Sequence, residues 1–246
     1  MAVYLTFDLG TTALKAGLVS DGGKLLAVHT SEYTFSSPQA DWAQMPPQDY
    51  WTAAIEGARA VFQESGTSRD DLAAIGFSSQ GQTYIPVDRD GRELYDAIVW
   101  VDNRSREIAE AWEKSWLSRD RFRKVTGYPW LLPGLTLFKI AWMARNALDA
   151  LKAWKFLCLP DYLIYKMTGA TVTDRVTAQG TGLFNFRQGC WERKFVEAAE
   201  IKEEQLPDVL APGTVAGELT SDAAEELGLS AGVPVCVGAN LSLIHI

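Results

Sequence analysis

The sequence contains few of the residues on which histidine, zinc and disulfide chemistry depends. It has two histidines, His29 and His245, and three cysteines, at positions 158, 190 and 236, in 246 residues. The cysteines are far apart and odd in number, and no Cys-x-x-Cys pair or Cys/His cluster occurs. A zinc site, a disulfide framework and a histidine-based catalytic centre are therefore disfavoured.

Long apolar runs and an excess of basic residues are also lacking. No apolar run approaches the ~18 residues that a membrane span requires, and the chain begins with a strand-like segment rather than a charged leader. We therefore expect a cytoplasmic protein with no membrane partner. The formal net charge of −8 disfavours nucleic-acid binding. It does not exclude nucleotide substrates, because small phosphates are held mainly by backbone N–H groups, a metal and local cations. The oligomeric state stays open, a homodimer included.

The order of patterned segments predicts an α/β domain. Alternating apolar residues predict three antiparallel strands, Val3–Asp8, Leu14–Val19 and Leu25–Ser31, followed by a helix over Pro47–Gln63 and a strand over Ala73–Ser78. Short strands and helices alternate after that, which indicates a mixed sheet with a helical insertion.

Further helices are predicted from the spacing of apolar residues and from capping signals. Within the apolar and aromatic stretch Trp130–Trp142, Lys139 is the polar member to test, although we expect the stretch to be core rather than the mouth of a pocket. The further predicted helices cover Asn103–Trp116, Arg119–Thr126, Leu135–Asn146, Pro160–Met167, Cys190–Ala199 and a segment from Thr220 or Ser221 to Gly228.

The turn between the first two strands has the composition of a phosphate site. Gly10 lets the backbone approach a ligand, and successive N–H groups in a tight turn can point at an anion. Thr11 and Thr12 add hydroxyl donors, Lys15 adds a positive charge, and Asp8 is suited to hold Mg²⁺. Phosphoryl transfer needs such positioning and charge neutralisation. The alternative is an ordinary turn, in which Asp, Gly and Thr are common, and the segment is not a Walker A loop.

Two later segments suggest a pocket for hydroxyl groups. Gln80 and Gln82 follow a buried strand, and each amide offers donors and an acceptor to a polyol. Trp100, Asp102 and Arg104 then place an aromatic ring, a carboxylate and a guanidinium close together. The alternative is that Asp102 caps the following helix and pairs with Arg104. We expect Asp102 in the pocket, and for Arg104 a structural role is at least as well supported.

In their joint order these motifs resemble the FGGY family of carbohydrate kinases, especially its xylulokinase and glycerol kinase branches. The resemblance covers roughly residues 1–240. The matching segments are Asp8–Thr12 with Lys15, Ser79–Gln82, Trp100–Arg104, Leu159–Leu163 with Thr168 and Gly169, and Thr173–Leu183.

The resemblance implies a ribonuclease-H-like (actin-like ATPase) domain that binds the sugar, spanning residues 1–240. It also implies a second domain for ATP, which we expect to lie outside this sequence. The implied activity is transfer of the ATP γ-phosphate to a hydroxyl of a sugar or polyol, with a pentulose as the expected substrate class and Mg²⁺ as the metal. Asp8 and Lys15 would take part in catalysis, and residues 10–12 would bind the phosphates. The sugar would be bound by Gln80, Gln82, Trp100, Asp102 and Arg104.

The sequence departs from the family at the expected general base. The family places an aspartate after the turn that begins at Gly238, and Leu241 occupies that position here. Leucine cannot accept the proton of the attacking hydroxyl. Residues 241–246 also match what a common transposon-end sequencing adapter encodes in frame, so we expect a non-native tail. The 246-residue chain alone is then expected to be inactive.

Two other function classes stay open at this level. A non-catalytic sugar-binding module of the same fold would use Gln80, Gln82 and Asp102 without needing a base. An actin-like ATPase of the chaperone or cell-shape class would share the Asp8–Thr12 turn, but it gives no reason for the segment Trp100–Arg104, so we rank it lower.

Overall fold

A mixed seven-stranded sheet forms the centre of the protein in the computed structural model, which describes residues 1–240. The strands are β1 (Val3–Leu9), β2 (Ala13–Ser20), β3 (Leu25–Glu32), β4 (Gln44–Met45), β5 (Leu72–Ser79), β6 (Tyr84–Val87), β7 (Ala97–Ile98), β8 (Lys155–Cys158), β9 (Val172–Asp174), β10 (Phe184–Asn185), β11 (Cys190–Trp191), β12 (Asp208–Leu210), β13 (Val215–Glu218), β14 (Pro234–Cys236) and β15 (Ala239–Asn240). The α-helices are α1 (Pro47–Ser65), α2 (Arg106–Ser115), α3 (Arg119–Thr126), α4 (Thr136–Asn146), α5 (Leu148–Leu151), α6 (Leu159–Thr168), α7 (Arg175–Gly180), α8 (Arg193–Ala198) and α9 (Ser221–Leu227).

The sheet has the order β13-β14-β5-β1-β2-β3, with β15 also paired to β5. The first three strands form an antiparallel meander, and β5 runs parallel to both β1 and β14. This arrangement confirms the predicted mixed sheet. Because β1 and β5 are parallel neighbours, the turn that follows β1 and the loop that follows β5 lie at the same edge.

The alternation in β1 sets the two faces of the sheet. Val3, Leu5, Phe7 and Leu9 are fully buried, and α1 packs beneath β2 and β3 on this side. The packing is tight enough that a Cβ added at Gly57 of α1 would lie 2.7 Å from the Cβ of Ala16. Residues between the buried ones in β1 point to the opposite face of the sheet.

The predicted helical insertion is present between the parallel strands and has its own hydrophobic core. It contains the helices from α2 to α5, with α8 packed on α4, and three strands of the small sheet β4-β7-β6-β8, in which β4 comes from the segment before β5. Its core includes the rings of Tyr84, Phe122, Phe138 and Phe195. The loop between β5 and β6 connects the central sheet to this insertion.

Two predicted helix starts are wrong. The segment predicted as a helix from Cys190 begins instead with β11, and α8 starts at Arg193. Trp191 is held in β11 by its ladder with β10 and by its indole N–H, which donates to the carbonyl of Pro207 at 3.2 Å. The helix predicted from Asn103 starts at Arg106, because the Asp102 carboxylate accepts the backbone N–H of Arg104 and holds a turn there.

Within residues 1–240, no helix combines the length and the hydropathy that crossing a bilayer would require.

A buried carboxyl group lies in the first turn of α6. Asp161 is 2% exposed, and its carboxylate accepts the backbone N–H of Cys158 at 3.1 Å. Burial, followed by the nearby carboxylate of Asp174, raises the pKa of Asp161 well above 3.8. Asp174 is itself engaged as the cap of α7, where it accepts two backbone N–H groups.

We predict that Asp161→Asn makes folding stability less dependent on pH. Since the pKa of Asp161 is raised in the folded state, the native protein holds this proton more tightly than the unfolded chain. Stability of the parent should therefore decline as pH rises above 3.8 towards the raised value. Asparagine cannot ionise and keeps an oxygen for the N–H of Cys158. Urea midpoints measured from pH 5 to 8 should fall less for the variant.

The matched control is Glu56→Gln, which neutralises an exposed carboxylate on α1. It should follow the parent's pH profile. An Asp161→Asn profile with the parent's slope would contradict the prediction.

Candidate functional site

The β1–β2 turn is held from two sides through a single carbonyl. The Tyr33 hydroxyl donates to the Gly10 carbonyl at 2.6 Å, and the Gln80 side-chain amide donates to the same oxygen at 3.0 Å. The backbone N–H of Gly10 closes the turn on the carbonyl of Ala13 at 2.9 Å. A Cβ at position 10 would lie 2.9 Å from that carbonyl oxygen, so the turn favours glycine here.

Asp8 and Lys15 lie directly opposite each other in the antiparallel ladder, so their side chains share a face. That face is the one opposite α1. Lys15 is exposed. Asp8 also lies beside Ser78 of β5 in the parallel register. One carboxylate oxygen of Asp8 and the Ser78 hydroxyl are buried without a hydrogen-bond partner among the described residues.

The unpartnered oxygen of Asp8 fits the role expected for Mg²⁺ binding. Mg²⁺ prefers carboxylate oxygens, and it is commonly held by one or two carboxylates together with waters and substrate phosphates. Within residues 1–240, no cluster of three or more His, Cys, Asp or Glu side chains forms a complete protein metal site. Asp8 is therefore suited to hold an ion that brings its own water and phosphate ligands.

A hydrogen bond joins the β1–β2 turn, Gly10–Thr12, to the segment that carries Trp100. This turn is called the phosphate-type turn below. The indole N–H of Trp100 donates to the Thr11 hydroxyl oxygen at 2.8 Å. The Thr11 O–H thus stays able to donate elsewhere, and Thr12 is exposed at the tip of the turn. Trp100 is 41% exposed and presents ring surface rather than packing fully into the core.

A pocket of about 370 Å³ opens beside Trp100. Its lining combines apolar side chains with two neutral polar ones, Gln82 and Asn103. The lining residues are Gln82, Trp100, Val101, Asn103 and residues 132–135. The structure thus places Gln82 and Trp100, two of the predicted sugar contacts, on one pocket next to the Gly10–Thr12 turn.

Gln82 has a backbone conformation that is uncommon for residues other than glycine. Its φ is 66°, in the left-handed region. Its side-chain amide donates to the Tyr128 hydroxyl at 3.1 Å, and its backbone carbonyl accepts from the Thr136 hydroxyl at 3.3 Å. Strained backbone of this kind persists where surrounding contacts determine it, and it concentrates at ligand sites.

The contacts of Asp102 and Arg104 favour the structural alternative over the pocket contact expected of Asp102. Both side chains are completely buried and form an ion pair, with 2.9 Å between Arg104 Nη2 and Asp102 Oδ2. The Asp102 carboxylate also accepts the backbone N–H groups of Ala43 and Arg104. The Arg104 guanidinium lies over the Trp42 ring, 3.9 Å from its centroid. The pair therefore holds the Ala43 segment against the start of α2, and both carboxylate oxygens are occupied.

Gln80 also differs from its predicted role. It is 7% exposed, and its amide supports the Gly10 carbonyl rather than lining the pocket. Its position next to β1 follows from the parallel pairing of β1 with β5, because Leu9 and Ser79 are paired. Gln80 is therefore a brace of the phosphate-type turn.

Sequence patterns did not identify several residues that complete the site. Tyr33 lies just beyond β3, where alternation predicts only burial. Asn103 lies at the start of a predicted helix, and Tyr128 lies outside every predicted element. Lys139 was noted but assigned to the core, and its Nζ donates to the carbonyl of Val99 at 2.8 Å.

The predicted position of the general base, Leu241, lies outside the described residues. Its neighbour Asn240 belongs to β15, which pairs with Ser79 at the end of β5. The Asn240 side chain lies so close to Gly81 that a Cβ on Gly81 would overlap it. The last described strand thus runs beside the Gln80–Gln82 loop.

Comparisons with known proteins agree with this geometry. The sequence model described as "FGGY family of carbohydrate kinases, N-terminal domain" matches residues 3–241. A xylulose kinase of Staphylococcus xylosus is 27% identical over 239 residues, which cover 97% of this chain and 49% of the relative. A glycerol kinase of Coxiella burnetii is 33% identical over 214 residues, which cover 84% of this chain and 42% of the relative.

Solved structures give the same result. A ligand-bound xylulose kinase from Lactobacillus acidophilus superposes with a TM-score of 0.91 at 26% identity, covering 98% of this chain and 48% of that protein. The chain thus spans about half the length of the relatives it matches. These neighbours confirm the actin-like ATPase fold, and the match over residues 3–241 shows that the chain belongs to the FGGY family of carbohydrate kinases.

Proposed function

We propose that this chain is the sugar-binding half of a kinase that transfers the γ-phosphate of ATP to a hydroxyl of a sugar or polyol, with a pentulose as the preferred class. The observation that carries the proposal is the hydrogen bond from Trp100 to Thr11. Trp100 lines the pocket, and Thr11 belongs to the phosphate-type turn. A phosphate donor on the turn and an acceptor in the pocket would therefore be neighbours.

The pocket suits an uncharged polyhydroxy compound. Among its lining residues the side chains are apolar or neutral, and Gln82 and Asn103 offer amide donors and acceptors. The exposed ring of Trp100 can pack against the apolar face of a sugar. The names of the relatives, xylulose kinase and glycerol kinase, support the same class of acceptor.

The β1–β2 turn and the strand residues beside it would bind the phosphate donor, ATP. The backbone near Gly10 can approach phosphate oxygens, and the Thr11 and Thr12 hydroxyls can donate to them. Lys15, on the same face as Asp8, supplies positive charge. Asp8 would hold Mg²⁺, which neutralises charge on the phosphates when it is bound with ATP.

Two further parts of the proposal concern what the chain lacks for turnover. We assign residues 1–240 to the sugar-binding domain and expect nucleotide binding to require a second domain, since the chain matches about half of its relatives. The expected base position holds Leu241, which cannot accept a proton from the acceptor hydroxyl.

We predict that the chain binds D-xylulose or glycerol and that Gln82→Ala weakens this binding about tenfold. Loss of an amide hydrogen bond in a partly buried pocket costs roughly 1–1.5 kcal/mol, which corresponds to that factor. Isothermal titration calorimetry at one pH and temperature measures it. The matched control is Gln63→Ala, an exposed amide on α1, which should bind as the parent does.

Absence of binding by the parent to any sugar or polyol of a broad panel would contradict the pocket assignment. Equal binding by Gln82→Ala and the parent would contradict the role of Gln82.

We also predict that the 246-residue chain releases ADP from MgATP no faster with sugar than without it. The physical reason is that Leu241 cannot act as a base and that the chain spans about half the length of the relatives it matches. A coupled ADP-release assay with the same sugar panel measures the rate, and a full-length xylulose kinase serves as the positive control. Sugar-dependent turnover by this chain would overturn the proposal that it is only the sugar-binding half of a kinase.

A further inference from the structure

A buried lysine lies beneath the two loops that form the pocket. Lys139, on α4, is 0% exposed. Its ammonium donates to the carbonyl of Val99 at 2.8 Å and, at the longer distance of 3.4 Å, to the carbonyl of Gln82. Val99 directly precedes Trp100. The two acceptors therefore belong to the two segments that supply Gln82 and Trp100 to the pocket.

Other hydrogen bonds join the same two segments. The backbone N–H of Trp100 donates to the Thr83 hydroxyl at 3.0 Å, and the Thr136 hydroxyl, one turn before Lys139 on α4, donates to the Gln82 carbonyl at 3.3 Å. The contacts from α4 thus hold the carbonyl of Gln82, the residue with the left-handed backbone. Lys139 is the member that reaches both segments.

Core packing does not account for an ammonium at this position. The nearby carboxylate, Asp102, is already paired with Arg104, and the hydrogen bonds of Lys139 go to carbonyl oxygens. Burying a charge is costly, and an apolar side chain of similar volume would commonly be neutral or stabilising in its place. The feature that an apolar side chain cannot supply is a donor placed between two loops.

We propose that Lys139 is a positioning residue for sugar recognition: it sets the spacing of Gln82 and Trp100 by bonding the carbonyls of Gln82 and Val99. This inference rests on the proposed sugar-binding function. Lys139 does not line the pocket, so it acts through the two residues that do.

The environment of Lys139 makes the positioning sensitive to pH. Burial lowers the pKa of Lys139 to about 7, with the Asp102 carboxylate opposing that effect and the Arg104 guanidinium adding to it. The neighbouring Cys158 thiol stays uncharged in this range, because burial raises its own pKa. Below pH 7 the charged ammonium makes the stronger hydrogen bonds to the carbonyls. As pH rises through 7 the group loses its charge, and the two loops are held less firmly. Sugar affinity should therefore fall across this range.

The test compares Lys139→Met with the parent and with Lys155→Met. Methionine has similar length and no donor. Lys155 is the matched control, because its ammonium also donates to a backbone carbonyl, that of Leu206 at 2.7 Å, away from the pocket. Amide hydrogen exchange of peptides covering 80–84 and 98–103 measures loop order without any ligand. Calorimetry with D-xylulose at pH 6 and pH 8.5 measures affinity, and urea midpoints measure stability.

We expect faster exchange in both peptides and roughly tenfold weaker D-xylulose binding at pH 6 for Lys139→Met, with unfolding stability equal to or above that of the parent. The pH dependence between 6 and 8.5 should disappear in this variant and persist in Lys155→Met. Unchanged exchange in the two peptides would overturn the inference, whether or not the sugar binds. Parent-like affinity in a variant with faster exchange would also overturn it.

Faster exchange together with no D-xylulose binding by the parent would refute the proposed substrate while supporting the positioning of the loops. A loss of affinity accompanied by a matching loss of stability would show a purely structural role and would overturn the inference.

Discussion

The parallel pairing of β1 with β5 is the constraint on which the site depends. In this register Asp8 lies beside Ser78 and Leu9 beside Ser79. The turn after β1 and the loop after β5 must therefore emerge together at one edge, as ligand-binding loops do at the carboxyl ends of parallel strands. The Gln80 amide then reaches the Gly10 carbonyl, and Trp100 reaches Thr11. The Gly10–Thr12 turn and the loop that carries Gln82 become adjacent because of this strand order.

The insertion and the loop that leads into it supply the residues that line the pocket, and buried charges lie among the same segments. Asp102 and Arg104 pair inside it, and Lys139 bonds two carbonyls next to them. Such groups contribute little net stability compared with apolar side chains of similar size. They do, however, require particular partners at particular distances. In this protein those partners are the backbone groups of the segments that carry Gln82, Trp100 and the start of α2, so the polar network fixes the loop geometry that a purely apolar core would leave less defined.

The sequence predicted β1, β2, β3 and β5 of the central sheet because their signals are local. Alternation in β1 and β2 and the glycines at positions 22 and 23 define the meander, and Pro47 marks the start of α1, whereas its end lies at Ser65 rather than at the predicted Gln63. The phosphate-type turn was recognised for the same reason, since Asp8 through Lys15 are contiguous. The tertiary contacts of the site were not accessible in this way. A helix cap, an ion pair and a ligand contact would each be compatible with the spacing of Asp102 and Arg104 in the sequence. Only the burial of the two side chains in the folded chain distinguishes these three roles.

Lys139 shows why a positioning residue is harder to predict than a contact residue. Its spacing on α4 places it on a face that is otherwise apolar, so periodicity assigns it to the core, and the core is where it lies. Its role depends on which carbonyl groups lie at the end of its side chain, and those belong to residues about 40 and 57 positions earlier. No local pattern encodes such distances. Gln82 and Trp100, which line the pocket, are thus found within contiguous motifs, whereas the contacts that hold those motifs in register become visible only in the folded chain.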